Sequence, residues 1–173
     1  MTLKLAEGAV TAVSAYLSTN FGAKVTALNA EYADTVVLTV PAKFAITEIL
    51  ETDAYPMVEI LCDRTTTHGI AGDYIGTSHD ITIICTVLDD SDVGEEKANL
   101  RKRVYRYARA IVELCRSAQA TGGFSDGGTP AASYQVQLME DLIDFSPAVR
   151  RKGTSLVIAA CGVHIQMQIQ EAG

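Results

Sequence analysis

From Ser155 to Ile169 the chain alternates with a period of two. Val157, Ala159, Cys161, Val163, Ile165, Met167 and Ile169 share one side, and the other side turns polar at His164, Gln166, Gln168 and Gln170. That spacing lines one face of a β-strand but scatters around a helix. The chain must therefore hold a sheet with one apolar face, and that face needs a cover.

Other strands follow the same rule. His79 to Leu88 sets Ile81, Ile83, Cys85 and Val87 against Asp80, Thr82, Ile84, Thr86 and Leu88. Met57 to Asp63, opened by Tyr55-Pro56, sets Val58, Ile60 and Cys62 against Glu59, Leu61 and Asp63. Between these two, Arg64 to Ser78 reads as a polar loop with Gly69, Gly72, Gly76 and three consecutive threonines, so the two strands form an antiparallel pair with an extended tip. Tyr134 to Phe145 is extended, and its parity switches between Val136/Leu138 and Met139/Asp141/Ile143/Phe145, which predicts a bulge near Met139 to Asp141. Thr35 to Val40 reads as a strand stopped by Pro41. Phe44 to Glu51 fits a helical turn or a strand equally well.

Two amphipathic helices supply the cover. Thr2, as N-cap, opens a helix to about Asn20 with Leu5, Ala9, Ala12, Val13, Tyr16 and Leu17 on one side; Gly22 interrupts it and Ala23 to Tyr32 resumes it. The second follows the acidic turn Asp89-Asp90-Ser91-Asp92, where Asp92 and Glu95 have capping-box spacing, and runs to about Ala118. Its apolar side carries Leu100, Val104, Tyr107, Ala108, Ile111, Leu114 and Cys115. Gln119 to Ala132 is a Gly/Ser/Thr/Pro-rich loop. The expected fold is α+β: one domain over 1–173, with a helical N-terminal region (1–33) and the sheet and main helix over 55–170. An antiparallel sheet of about four main strands carries two helices on one face and long loops.

With 48% hydrophobic residues, the 173-residue chain can build a core. Its longest apolar run, Leu156 to Val163, is far short of the ~20 residues of a membrane span. The N-terminus lacks a signal-peptide apolar region, so the expected setting is the cytosol. A net charge of -7 argues against a general nucleic-acid coating. Cys62, Cys85, Cys115 and Cys161 are widely spaced in apolar segments and read as reduced core thiols.

Catalytic patterns fail on geometry. Ser78, His79 and Asp80 are strand neighbours and point to opposite faces, so they cannot form a relay. The glycine-spaced Gly69 to Gly76 lacks the Gly-Lys-Ser/Thr ending of a phosphate loop and precedes a strand. Asp89-Asp90 and Glu140-Asp141 are merely adjacent acids. The expectation is a non-enzyme with no catalytic, metal or cofactor residues.

Charge is segregated. Lys97, Arg101, Lys102, Arg103, Arg106, Arg109 and Arg116 are seven of fourteen bases and share one helix; Arg150, Arg151 and Lys152 form a basic turn. A solvated helix face explains such a stripe, as does an electrostatic docking surface made of Arg101, Lys102, Arg106, Arg109, Arg150, Arg151 and Lys152. The tip residues His68, Gly69, Gly72, Tyr74 and Gly76 read as a flexible hairpin end or as a contact with a neighbouring subunit.

Several pieces together resemble the tail terminator (tail completion) proteins and related head–tail neck proteins of long-tailed bacteriophages. They are Tyr55-Pro56-Met57-Val58, a loop, His79-Asp80-Ile81-Thr82-Ile83, the Asp89 to Asp92 turn, Val104-Tyr105-Arg106-Tyr107-Ala108-Arg109-Ala110-Ile111, Gly122-Gly123, Asp144-Phe145-Ser146-Pro147 and a long final strand. The resemblance implies a structural protein of the virion, assembled in the host cytoplasm. It would form a ring, typically of six copies, that caps the tail tube and meets the head connector or stopper proteins. DNA would pass through without sequence-specific binding; no membrane, cofactor or catalytic residue is implied. A stopper or adaptor of the neck, or a generic oligomeric binding module, are the alternatives.

Overall fold

In the computed structural model, the residues described are 6–46, 54–70, 74–89, 94–125, 133–150 and 154–172. In chain order they form α1 (Ala6–Tyr32), β1 (Lys43–Ala45), β2 (Met57–Ile70), β3 (Tyr74–Asp89), α2 (Gly94–Ala120), β4 (Phe124–Ser125), β5 (Ser133–Phe145), β6 (Val149–Arg150) and β7 (Val157–Ala172).

The sheet corrects the expected four-stranded antiparallel one. It has seven strands in the order β1-β2-β3-β7-β5-β4, with β6 on β7, and it is mixed, because β1 runs parallel to β2 (Lys43 opposite Met57). It curls into a half-barrel rather than lying flat. Two physical reasons account for the difference. Strands of two or three residues, such as β1, β4 and β6, are too short to show a period. Strands of 14 to 16 residues, such as β2, β3 and β7, accumulate right-handed twist and coil the sheet.

The apolar side of β7 is buried from Val157 to Ile169, as its alternation requires. Ile81, Ile83, Cys85 and Val87 of β3 join it, since β3 and β7 pair antiparallel throughout (Cys85 opposite Cys161). One hydrophobic cluster unites these positions with α1 (Val13, Leu17, Phe21, Leu28) and α2 (Leu100, Val104, Tyr107, Ile111). Cys85, Cys115 and Cys161 are free, buried thiols within it, and Cys62 is half-buried. Burial pushes the Cys115 thiol up to about 12, so it behaves as a small hydrophobe.

Three local expectations change. α1 is continuous through Gly22, whose missing side chain faces only Val40. Thr35 to Val40 is not a strand: Val36 and Leu38 are buried in strand fashion, but side chains satisfy the backbone. The Asn29 amide donates to Leu38 O at 2.9 Å and its carbonyl accepts from Leu38 N at 2.8 Å; Tyr107 Oη accepts from Thr39 N at 3.1 Å and donates to Thr39 O at 2.7 Å. The Arg64 to Ser78 loop is instead the ladder of β2 and β3, paired from Arg64–Asp80 to Ile70–Tyr74. The bulge of β5 is present, as a register shift between Leu138 and Ile143. The proposed Thr2 cap, the Asp92 end of the Asp92/Glu95 box and most of the ambiguous Phe44 to Glu51 segment lie outside the described residues.

Candidate functional site

Four features could carry function: the basic stripe, the hairpin arm, the polar outer face of the sheet and the exposed apolar side chains.

The stripe on α2 is largely a seam between helices. Arg106 is only 6% exposed. Its guanidinium donates to the carbonyl of Val36 and to both carboxylate oxygens of Asp34, and lies 3.9 Å over the Tyr32 ring. The hydrogen bond from Arg106 holds the Asp34 carboxyl down to about 2. Arg109 forks onto Glu31 at 2.7 and 2.9 Å and donates to Glu113 at 2.6 Å; Glu113 also receives Lys24 at 3.0 Å. Arg103 pairs with Asp89 at 3.2 Å. Arg106 and Arg109 therefore fasten the end of α1, and the segment after it, to α2, while Arg103 ties the end of β3 to the same helix. Sequence spacing shows which side of the helix they occupy but not the distant acids that meet them. Lys102 and Arg116 are exposed. Arg101 reaches Ser146 O at 3.4 Å, beside β5, and Arg150 is exposed on β6. Arg151 and Lys152 lie outside the described residues.

The arm is the far part of the β2–β3 hairpin, backed by the end of β7. Asp63, Arg64, Thr65, Thr66 and Thr67 are exposed on both faces of β2. His68 and Gly69 sit opposite Gly76 and Ile75, and Tyr74 opposite Ile70 and Ala172. The ladder thus brings His68, Gly69, Tyr74 and Gly76 together, while Gly72 lies outside the described residues. β1 covers the outer edge of β2 only at Met57 to Glu59. Beyond that, no strand among the described residues pairs that edge.

The outer face holds a polar network that inspection of the sequence missed. A bulge at Asp63, between Cys62 opposite Ile81 and Arg64 opposite Asp80, puts Asp63 and Arg64 on one face. Thr82 donates to Asp63 and lies 2.9 Å from His164 Nδ1; His164 Nε2 lies 2.8 Å from Asp144. One step along, Asp80 receives Arg64 at 2.7 Å and Gln166 at 3.0 Å. Thr82, Asp144 and His164, with Phe145, Ser146 and Gly162, border an open groove of about 450 Å³. The cross-strand register of Thr82 with His164 creates this network; the sequence shows the shared parity of Asp80 with Thr82 and of His164 with Gln166, but not that they meet. His79 behaves oppositely: it is buried on the inner face, 3.0 Å from Thr65 Oγ1, so it and Asp80 do diverge. Among the described residues no three acids, histidines or cysteines cluster to hold a metal.

Among the described residues, eight large apolar side chains are exposed. Tyr32, Val37, Val40 and Ile46 lie along the segment from the end of α1 to the end of β1. Tyr105, Ile143 and Phe145 lie where α2 meets β5, with the Tyr105 and Phe145 rings edge to face at 4.9 Å, and Val149 is exposed on β6, opposite Ile158. β1 ends the sheet on one side, and β5 and β6 border it on the other.

No protein-family model matches the chain, and no curated protein matches it.

Proposed function

We propose that this chain is a structural, ring-forming protein of the tail-terminator kind, capping a phage tail tube and meeting the head connector. The observation that carries the reading is the arm. From Asp63 to Thr67 the strand is exposed and carries a run of threonines, and among the described residues no strand pairs its outer edge there. Open edges invite pairing with another chain, and an assembly protein uses that instead of blunting it. Threonine keeps such a strand extended and polar before assembly. The resemblance of the segment order to that of tail terminators supports the same reading. Partners are further copies of the chain and the tail-tube and connector proteins, with DNA passing through the ring.

The test is twofold. Native mass and negative-stain images of the purified protein are expected to give a ring, of six copies by the resemblance. Deleting the gene from its phage is expected to give over-long or headless tails. A strict monomer together with normal, joined tails overturns the proposal; normal-length tails that merely lack heads move the protein to another position in the neck.

A further inference from the structure

We propose that His164 is a proton-operated latch: as the imidazolium it closes a hydrogen-bonded chain across four strands, and giving up one proton opens that chain beside the groove. The proposal does not depend on the ring reading.

The argument is a count of protons. The chain takes one side chain from each of four adjacent strands: Asp63 of β2, Thr82 of β3, His164 of β7 and Asp144 of β5. Both ends are carboxylates, which accept and do not donate. Thr82 has a single hydroxyl proton, and it goes to Asp63. The contact of Thr82 Oγ1 with His164 Nδ1, at 2.9 Å, then needs its proton from the ring. The contact of His164 Nε2 with Asp144, at 2.8 Å, needs another. A neutral imidazole has one N–H, and only the imidazolium has two. The closed chain is therefore the protonated one.

Geometry holds the ring in place. His164 lies opposite Thr82, and Asp144 lies opposite Gly162, two places along β7 from His164. The bond from His164 to Asp144 thus runs diagonally between strands, a span within reach of an aromatic ring. A side chain begun at Gly162 would come within 3.8 Å of His164 Nε2 and 3.9 Å of Asp144 Cβ, so glycine leaves this diagonal clear. β5 slips register between Leu138 and Ile143, and Asp144 sits just past the slip, in a short stretch matched to β7 over Ile143 to Phe145. There a side-chain bond counts for more than along the unbroken β3–β7 ladder. The other described charged groups nearby have partners of their own. Asp80 of β3 takes Arg64 and Gln166, and His79 lies on the inner face with Thr65. Both helices pack on that inner face, away from the ring.

When the ring loses a proton, one contact must fail. A ring lone pair facing the Asp144 carboxylate is repelled, and Thr82 keeps its bond to Asp63, the charged acceptor. The ring therefore keeps its proton on Nε2, and the Thr82 contact opens. The bond to Asp144 stays but loses the attraction of opposite charges. Histidine makes this change between about pH 5 and 8. The latch is closed at the acid end of that range, and its grip on β5 weakens as pH rises.

The experiment uses the whole protein, labelled with nitrogen-15, at about pH 5 and about pH 8. Ring nitrogen shifts should show His164 doubly protonated at the lower pH, and carrying its one proton on Nε2 at the higher. The Ser146 amide donates to Ala160 O at 2.9 Å, next to the latch. Its protection from exchange, corrected for the intrinsic rate, should fall about three- to tenfold between the two conditions, the worth of roughly one hydrogen bond. Amides of Ile83 and Cys85 should keep theirs. His164→Gln puts a neutral amide in the ring's place and should abolish the pH response at Ser146. His68 and His79 remain in that variant, so a response that persists belongs elsewhere and overturns the proposal. A singly protonated His164 at the lower pH overturns it too, as does unchanged protection at Ser146 in the wild type. Should His164→Gln fail to fold, Asp144→Asn replaces it, since the Asp144 side chain is 81% exposed, and the same loss of response is required. None of these outcomes turns on whether the protein forms rings.

Discussion

The two faces of the sheet use the same backbone for opposite ends. On the inner face β3 and β7 present Ile81, Ile83, Cys85, Cys161, Val163 and Ile165, each at most 1% exposed and packed under two helices. On the outer face, one residue along, the same strands present Asp80, Thr82, His164 and Gln166, joined by hydrogen bonds across the ladder. Burial of apolar area scales with the surface removed from water and supplies most of the stability. Hydrogen bonds made within reach of water replace bonds to water and add little net. The comparison teaches that the inner face makes the fold, while the outer face is free to serve contacts.

The sharpest way to break that contrast is Ile83→Ala. Ile83 is fully buried between the helices and its neighbours in the sheet. Its truncation is expected to cost about 2–5 kcal/mol, the transfer of the lost carbons plus the cavity left behind. Urea unfolding would show a lower midpoint at unchanged slope. A loss below that of an outer-face change would contradict the division of labour. Tyr107→Phe ranks next. Tyr107 packs its ring in the core and uses its hydroxyl to hold both polar groups of Thr39. Removing that oxygen is expected to cost about 1–2 kcal/mol. Faster amide exchange should appear at Leu38 and Thr39, and not along β3.

The legible part of the fold is the part built from local periodicity. The alternation of β3 and β7 predicted their buried side chains residue by residue, and the parity slip in β5 predicted its irregularity. What was hidden depended on partners far along the chain. Val36 to Thr39 has a strand pattern, yet its backbone bonds go to Asn29, Arg106 and Tyr107, the last two about seventy residues away. Gly22 marked a break that packing overrides, since a helix interior tolerates a glycine at a cost of about 1 kcal/mol. The arm was obscured by its glycines, although Thr65-Thr66-Thr67 and Tyr74-Ile75 carry β-branched and aromatic content that favours strands. Of the stripe, Arg101, Lys102 and Arg150 reach the surface, whereas Arg106 is absorbed by Asp34, an acid placed by the end of α1. Which apolar side chains stay exposed was not legible beforehand, because exposure is a property of the assembled layers.

The smallest effect tests the outer face through its charge. The hydrogen bond from Gln166, with Arg64 second, holds the Asp80 carboxyl below its ordinary value of 3.8. Burial opposes this, and the two favourable contacts win. A carboxyl depressed in the folded state stabilises it at pH values above the unfolded value. That contribution is lost as pH falls through the lower, folded value. Arg64 is 71% exposed on its side chain, so screening by solvent keeps the contribution small. Asp80→Asn should therefore unfold within about 1 kcal/mol of the wild type at neutral pH. Its stability should fall less steeply than the wild type's on acidification below 3.8. Asp34→Asn should flatten the same acid limb further down, toward about 2, because Arg106 holds that carboxyl lower. Unfolding curves collected across that range would separate the two. If Asp80→Asn instead destabilised as much as Ile83→Ala, the outer face would be part of what makes the fold, and the contrast between the faces would be lost.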